Sequence, residues 1–312
     1  MHLLLGRLVR AVLTIIGAIS IVFLILRLTP GDPVEVLLGD YATPELMAIM
    51  RKQYGLDQPL PVQYAVFLKN TLTGNFGYSL SKKQDVTTII GASLPYTAAL
   101  AVSSMVVTCV VGIPLGTIAA LKRGTMSDFA AMVISLLGVS TPGFLLALIL
   151  IWVLSFQLNL FPIQGAGERA GPLVMLWYLV LPSVALGFQS AALVARTTRS
   201  ALLSVLSEDY IRTAHAKGLA ARLVIERHAF RNALVPILAV LGLYFGQLLG
   251  GAAVAEMVFA RPGLGKLLVD AILLRDYPLS QALITVFLIA VIAVNTVTDL
   301  LYGLADPRIR RA

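Results

Sequence analysis

The chain has 312 residues, 13% of them charged and 58% apolar, with a mean hydropathy of +0.87. Soluble globular proteins carry about 25% charged residues, so the polar surface here is too scarce for a water-facing domain of this size and a soluble enzyme is excluded. The net charge of +8 reads first as a statement of membrane orientation rather than of nucleic-acid binding. The single cysteine, Cys109, excludes an internal disulfide framework and a multi-cysteine metal site.

Charged side chains are costly at the centre of a bilayer, so charge-free windows locate membrane spans. Six such windows occur, at 11–26, 86–121, 129–167, 170–195, 232–255 and 277–298. A helix needs about 20 residues to cross the hydrocarbon. The first window is short, but Arg10 and Arg27 can snorkel and extend it. It ends in the bulky run Ile19–Leu26 without a small-residue cleavage site, which reads as a retained anchor rather than a signal peptide. The residues from Asn70 to Tyr96 and from Gln157 to Gly171 read as turn-rich flanks. Six transmembrane helices are predicted. With the amino terminus inside, fourteen basic residues fall on the inner side and only Arg169, Arg261, Lys266 and Arg275 on the short outer loops, so both termini are expected in the cytoplasm.

The segment 29–94 then lies outside. It opens with Thr29-Pro30-Gly31-Asp32-Pro33, and Thr43 can cap a helix that has Pro44 at its first position and closes near Gly55. A second helical stretch is expected around Val62–Leu72. A packed cap and a surface for substrate or a delivery partner are both open readings of this insertion.

Small residues mark the spans. Gly112, Gly116 and Ala120 stand four apart, as do Gly242, Gly246 and Gly250, a spacing that allows close helix approach within the chain or to a second membrane subunit. The run Gly138-Val139-Ser140-Thr141-Pro142-Gly143 interrupts the third helix. Broken helices are tolerated where protein or water satisfies the freed backbone, which makes Ser140, Thr141 and Pro142 a candidate cavity lining or a packing kink.

The inner segment 196–232 reads as a short helix, a glycine and a second basic helix. Ser207 is the expected cap, Glu208 with Arg212 the expected i,i+4 pair, and Gly218 the expected helix end. The outer segment 259–281 is dense in proline and glycine, with Arg261-Pro262-Gly263-Leu264-Gly265-Lys266 and Arg275-Asp276-Tyr277-Pro278, and reads as an ordered re-entrant or capping loop. Its Gly265-Lys266 is not a phosphate loop, because the first motif glycine would fall at Ala260 and the Ser/Thr at Leu267. No HExxH or GxSxG motif occurs, and the charges near the spans, Asp128, Glu256 and Asp299, each lie close to a predicted end rather than at mid-bilayer. A solute moved by this chain would therefore draw its energy from a partner.

Asp209-Tyr210-Ile211-Arg212-Thr213-Ala214-His215-Ala216-Lys217-Gly218, followed by His228-Ala229-Phe230-Arg231-Asn232-Ala233-Leu234-Val235-Pro236, resembles the EAA loop of ABC-importer permeases in its dipeptide, oligopeptide and nickel branch. Pro30-Gly31-Asp32-Pro33, Gly55-Leu56-Asp57-Gln58-Pro59-Leu60, Gly74-Asn75-Phe76-Gly77-Tyr78-Ser79, Pro262-Gly263-Leu264-Gly265, Arg275-Asp276-Tyr277-Pro278 and the tail Asp306-Pro307-Arg308-Ile309-Arg310 extend the likeness from end to end. Against the general importer motif, the Glu falls on Arg212, the first Ala on Thr213 and the Leu-Pro on Phe230-Arg231.

The resemblance implies an all-α integral membrane protein of the type I ABC importer permease fold, in a bacterial or archaeal inner membrane. Its expected divisions are an amino-terminal helix at 1–28, an extracytoplasmic insertion at 29–94 and a permease core at 95–312. Its implied partners are a second homologous permease, two ABC ATPase subunits, an extracytoplasmic substrate-binding protein and membrane lipid, without nucleic acid. No cofactor is expected in this chain, with ATP and Mg bound on the ATPase subunits. Asp209, Arg212, Thr213, Ala214, Lys217 and Gly218 would couple to an ATPase subunit. Arg261, Pro262, Gly263, Gly265, Asp276, Tyr277 and Pro278 would form an outer gate. Di- or oligopeptides are the implied cargo, with nickel, a metal chelate or glutathione open. A self-contained secondary carrier would need internal repeats and mid-span ion ligands, and neither is present in the sequence.

Overall fold

The computed structural model describes residues 2–28, 31–168 and 171–305. Thr29, Pro30, Arg169 and the tail from Asp306 lie outside the described residues. The helices in chain order are α1 (His2–Leu28), α2 (Pro33–Leu38), α3 (Pro44–Gln53), α4 (Leu60–Leu72), α5 (Val86–Leu121), α6 (Met126–Ser140), α7 (Gly143–Leu150), α8 (Pro172–Leu206), α9 (Asp209–Ala216), α10 (Ala221–Leu223), α11 (Phe230–Val258), α12 (Leu264–Leu273) and α13 (Tyr277–Ala305). Wider π-helical turns extend α7 through Ile151–Gln157 and join α10 to α11 through Val224–Ala229. A two-residue antiparallel pair, β1 (Tyr78–Ser79) with β2 (Gln84–Asp85), precedes α5.

The chain forms two compact units, one running as far as Tyr96 and taking in Pro262–Ile292, the other comprising Thr97–Arg261 and the chain from Ala293. In the first unit, Asp32 caps α2 by accepting from Val34 N–H at 2.9 Å. Thr43 caps α3 by accepting from Leu46 N–H at 3.3 Å, with Pro44 at the first position as the sequence predicts. Phe23 of α1 is fully buried, edge-on to Tyr64 and stacked on Phe67, both at 5.4 Å, which seats α4 against α1. Val86, Ile89 and Ile90 of α5 form a core with Leu264, Leu267, Leu279 and Leu283. Sequence reasoning assigns the stretch up to Tyr96 to turns, whereas α5 already begins at Val86. Its first turns find apolar partners on α12 and α13, which no local pattern announces.

The second unit is built around α8. Its side chains alternate between buried small residues, among them Ala185, Gly187, Ala191, Ala192 and Ala195, and lipid tails offer helices no hydrophobic reason to associate, so backbone proximity must hold them. A Cβ at Gly112 of α5 would stand 2.7 Å from the Ala191 carbonyl oxygen, one at Gly187 would stand 2.5 Å from the Ser104 oxygen, and one at Gly116 would collide with the Ala195 oxygen. On another side of α8, a Cβ at Gly138 of α6 would lie 2.8 Å from the Ala192 Cβ. Arg199 of α8 clamps Asp128 in the first turn of α6 with two bonds, Nε to Oδ1 at 2.7 Å and Nη2 to Oδ2 at 2.8 Å.

Four helices are each long and apolar enough to cross a membrane, Val86–Leu121, Pro172–Leu206, Ala221–Val258 and Tyr277–Thr298. Met126–Ser140 and Gly143–Gln157 together pass the same test but meet at a bend of 105°, and Val12–Leu28 is apolar but shorter. The six charge-free windows thus map onto four such helices, one broken pair and one shorter stretch.

Candidate functional site

The 207–232 segment departs from its predicted capping. Ser207 closes α8 rather than opening α9, donating its hydroxyl to the Ser204 carbonyl at 2.7 Å. Glu208 is the N-cap, with extended backbone, and it is its carbonyl that reaches the helix, accepting from the Ile211 and Arg212 N–H groups at 3.1 and 3.4 Å. The partner of Arg212 is instead Asp209, at 3.4 Å and three residues away, with both side chains largely exposed; such a pair adds little stability. Gly218 ends the helix with φ +77°, as its expected role requires, and open space surrounds the position of a Cβ.

One side of α9 faces into the chain. Ile211 and Ala214 are buried in a cluster with Ala120 of α5, Leu202 of α8, Val224, and Ala233 and Ile237 of α11. Ala214, expected to meet a partner surface, therefore packs inward, because it stands three residues after Ile211 on the apolar stripe. The exposed face carries Asp209, Arg212, Thr213 and Lys217. Asn232 adds a polar tie, donating to the Tyr210 hydroxyl at 3.0 Å and to the His228 carbonyl at 2.8 Å. α9 is thereby packed against the ends of α5, α8 and α11 together.

The break between α6 and α7 falls where Pro142 removes a backbone donor. Thr141 is extended, and both its N–H (3.0 Å) and its hydroxyl (2.7 Å) return to the Leu137 carbonyl, so the last turn before the break is held by two bonds to one acceptor. Ser140 and Pro142 are exposed and Thr141 half-buried. A cavity of about 200 Å³ lies beside the break, lined by Gly143, Phe144 and Ala147 with Ala185, Gln189 and Ala255 among others. The three candidate residues are outside that lining. Of the glycine series on α11, Gly242 meets a neighbour, since a Cβ there would collide with Thr298, whereas nothing lies within 4 Å of one at Gly250. Gly246 is half-buried.

The 259–281 segment is more helical than its glycines and prolines suggest. Pro262 and Gly263 precede α12, inside which Gly265 is buried, and Gly263 has ordinary extended backbone. The left-handed turns fall instead on Ala260 (φ 48°) and Arg275 (φ 52°). Arg261, only 3% exposed, donates Nη1–H to the Tyr178 carbonyl at 3.2 Å. Asp276, 1% exposed, accepts from the Ser79 hydroxyl at 2.6 Å, the Ser81 hydroxyl at 2.7 Å and the Ser81 N–H at 2.9 Å, while its other oxygen caps α13 at Leu279 N–H. Tyr277 is buried beside it and Pro278 half-buried. Burial pushes the Tyr54 phenol above its ordinary range, and Tyr78 and Asp276 add to the shift.

Several contacts have no signal in sequence. Arg27 lies over Phe23 and Tyr277 at 5.3 and 4.9 Å, Thr97 donates to buried Glu256 at 2.6 Å, and Asp128 pairs with Arg199 across 71 residues. The one available clue is that Arg27, Asp128 and Glu256 are charged residues at the border of an apolar window.

Two family profiles cover nearly the whole chain: the inner membrane component of binding-protein-dependent transport systems matches residues 112–311, and the amino-terminal region of the same membrane components matches residues 1–101. The chain belongs to this family. It is an ABC-importer inner-membrane permease. The α9 segment and the outer loop fall inside the first match. A di/tripeptide transport system permease protein of Pseudomonas aeruginosa is 42% identical over 319 aligned positions, covering 95% of each chain. Glutathione transport system permease proteins are similarly related, that of Salmonella choleraesuis at 39% identity over 98% of each chain and that of Escherichia coli K12 at 41% over 93% of this permease and 92% of its own length. Among solved structures, the inward-facing methionine ABC transporter MetNI shares the fold, with a TM-score of 0.58 at 17% identity, covering 70% of this permease and 96% of that chain. An amino acid ABC transporter does likewise at a TM-score of 0.54 and 15% identity, over 69% and 94%.

Proposed function

We propose that this permease forms half of the translocation path of an ATP-driven importer for di- or oligopeptides. Partners would be a second permease, two ATPase subunits that bind ATP and Mg, and an external binding protein that delivers the substrate. The carrying observation is the 42% identity to a di/tripeptide permease over 95% of both chains. Six spans with both termini in the cytoplasm and residues 29–94 outside complete the reading, with the basic-residue asymmetry in its support.

In this reading the exposed face of α9 docks on an ATPase subunit. Ile211 and Ala214 hold α9 rigidly to α5, α8 and α11, so ATP-driven closure of the ATPase pair would rotate those helices as a body rather than bend α9 alone. The second reading is a glutathione importer, favoured by relatives at 39–41% identity. Uptake by the reconstituted importer separates them. Labelled dialanine should accumulate in vesicles with ATP and the binding protein present. Uptake of glutathione, nickel or a nickel chelate without dialanine would refute peptide import, and ATP-independent uptake by this chain alone would make it a secondary carrier.

A further inference from the structure

The first unit has an open-mouthed cavity of about 470 Å³ whose described lining includes Arg27 and Lys52 and no Asp or Glu. Rings of Phe23 and Tyr277 lie 5.3 and 4.9 Å from the Arg27 guanidinium. Rings attract a cation over their faces, but guanidinium N–H groups lie in its plane and still require acceptors. Arg27 Nε and Nη1 are buried without a hydrogen-bond partner among the described residues, and so is Nε2 of Gln281, which lines the same cavity.

Gln63 supplies the opposite polarity. Its Nε2 donates to the Gln58 carbonyl at 2.7 Å and the Leu56 carbonyl at 3.3 Å, which identifies the amide's oxygen end. That oxygen, Oε1, is buried and has no hydrogen-bond partner among the described residues. Val62, Val66, Phe67 and Phe76 give the cavity an apolar stretch, beside the polar Asn70, Thr71 and Asn75. In-plane donors suit a carboxylate, the acceptor suits an amide N–H, and the apolar wall suits a side chain.

We propose that this cavity binds the terminal carboxylate of a short peptide, with Arg27 and Gln281 donating to the carboxylate and Gln63 accepting from the peptide backbone. The proposal rests on the peptide-import reading and adds to it a site on the permease itself. An anionic lipid headgroup offers the same oxygen chemistry, so the experiment separates the two sources.

The full-length permease in phosphatidylcholine nanodiscs is titrated calorimetrically with trialanine and with trialanine amide. The free acid should bind at least about tenfold tighter, the worth of a charge-assisted hydrogen bond. Arg27→Gln should bring the acid down to the amide, while Arg27→Lys keeps part of the preference. If Arg27→Gln does not fold, Gln281→Leu carries the same test. Equal affinity for acid and amide, or a preference unchanged in Arg27→Gln or Gln281→Leu, overturns the proposal. So does a permease that ignores trialanine but retains phosphatidylglycerol through Arg27 in native mass spectrometry, which would make the ligand a lipid. Dialanine uptake by the complete importer is scored separately. Uptake without an acid preference removes this site and leaves peptide import standing.

Discussion

Asp276 accepts a 2.6 Å hydrogen bond from the hydroxyl of Ser79, 197 residues earlier in the chain. With the two bonds from Ser81, this fastens the β1–β2 hairpin to the start of α13 inside one compact unit. Asp276→Ala leaves buried donors unpaired, at a cost of about 1–3 kcal/mol. The expected outcome is a lower thermal midpoint together with faster amide exchange at residues 79–82. Parental exchange at those amides would show that the hairpin is held by other contacts.

Gly116 has no room for a side chain beside the Ala195 carbonyl. Gly116→Val should separate α5 from α8 and destabilise the fold by about 1–3 kcal/mol or more. Size-exclusion profiles and thermal midpoints of the purified protein read this directly, and Gly250→Ala, in open space, is the control expected to stay near parental. Equal behaviour of the two variants would argue against close α5–α8 packing.

Gly218 separates local strain from packing, since it has φ +77° and no neighbour where a Cβ would go. A β-branched residue there meets only its own backbone, at roughly 1–2 kcal/mol. Gly218→Val should therefore leave the fold and membrane insertion intact, loosen ATPase association and abolish uptake. Gly218→Asn, which tolerates left-handed backbone better, should retain part of the uptake. Parental transport by Gly218→Val would make this an ordinary loop glycine.

Topology is checked with single cysteines in a Cys109→Ser background, which removes the half-buried native thiol. Impermeant maleimide added outside should label a cysteine at Thr43 and spare one at Lys217. The reverse pattern would invert the proposed orientation.

Local chemistry by itself determined much of this permease. The cap at Thr43, the helix break at Pro142 and the left-handed end at Gly218 follow from single residues whose backbone options are few. Apolar windows located the membrane helices because a bilayer penalises charge wherever the rest of the chain lies. Motif order along the chain sufficed to recognise the family.

Only the tertiary structure decided what each polar residue does. Ala214 is small enough for either a partner surface or the interior, and Leu202 and Ile237 drew it inward. Asp276 and Ser79, Asp128 and Arg199, and Arg27 and Tyr277 are far apart in sequence. A hydrogen bond or a ring contact acts over a few ångströms of space and leaves no period or spacing along the chain. The start of α5 at Val86 has the same origin. Its first turns are helical because α12 and α13 bury them, and burial is a property of neighbours that sequence distance does not encode.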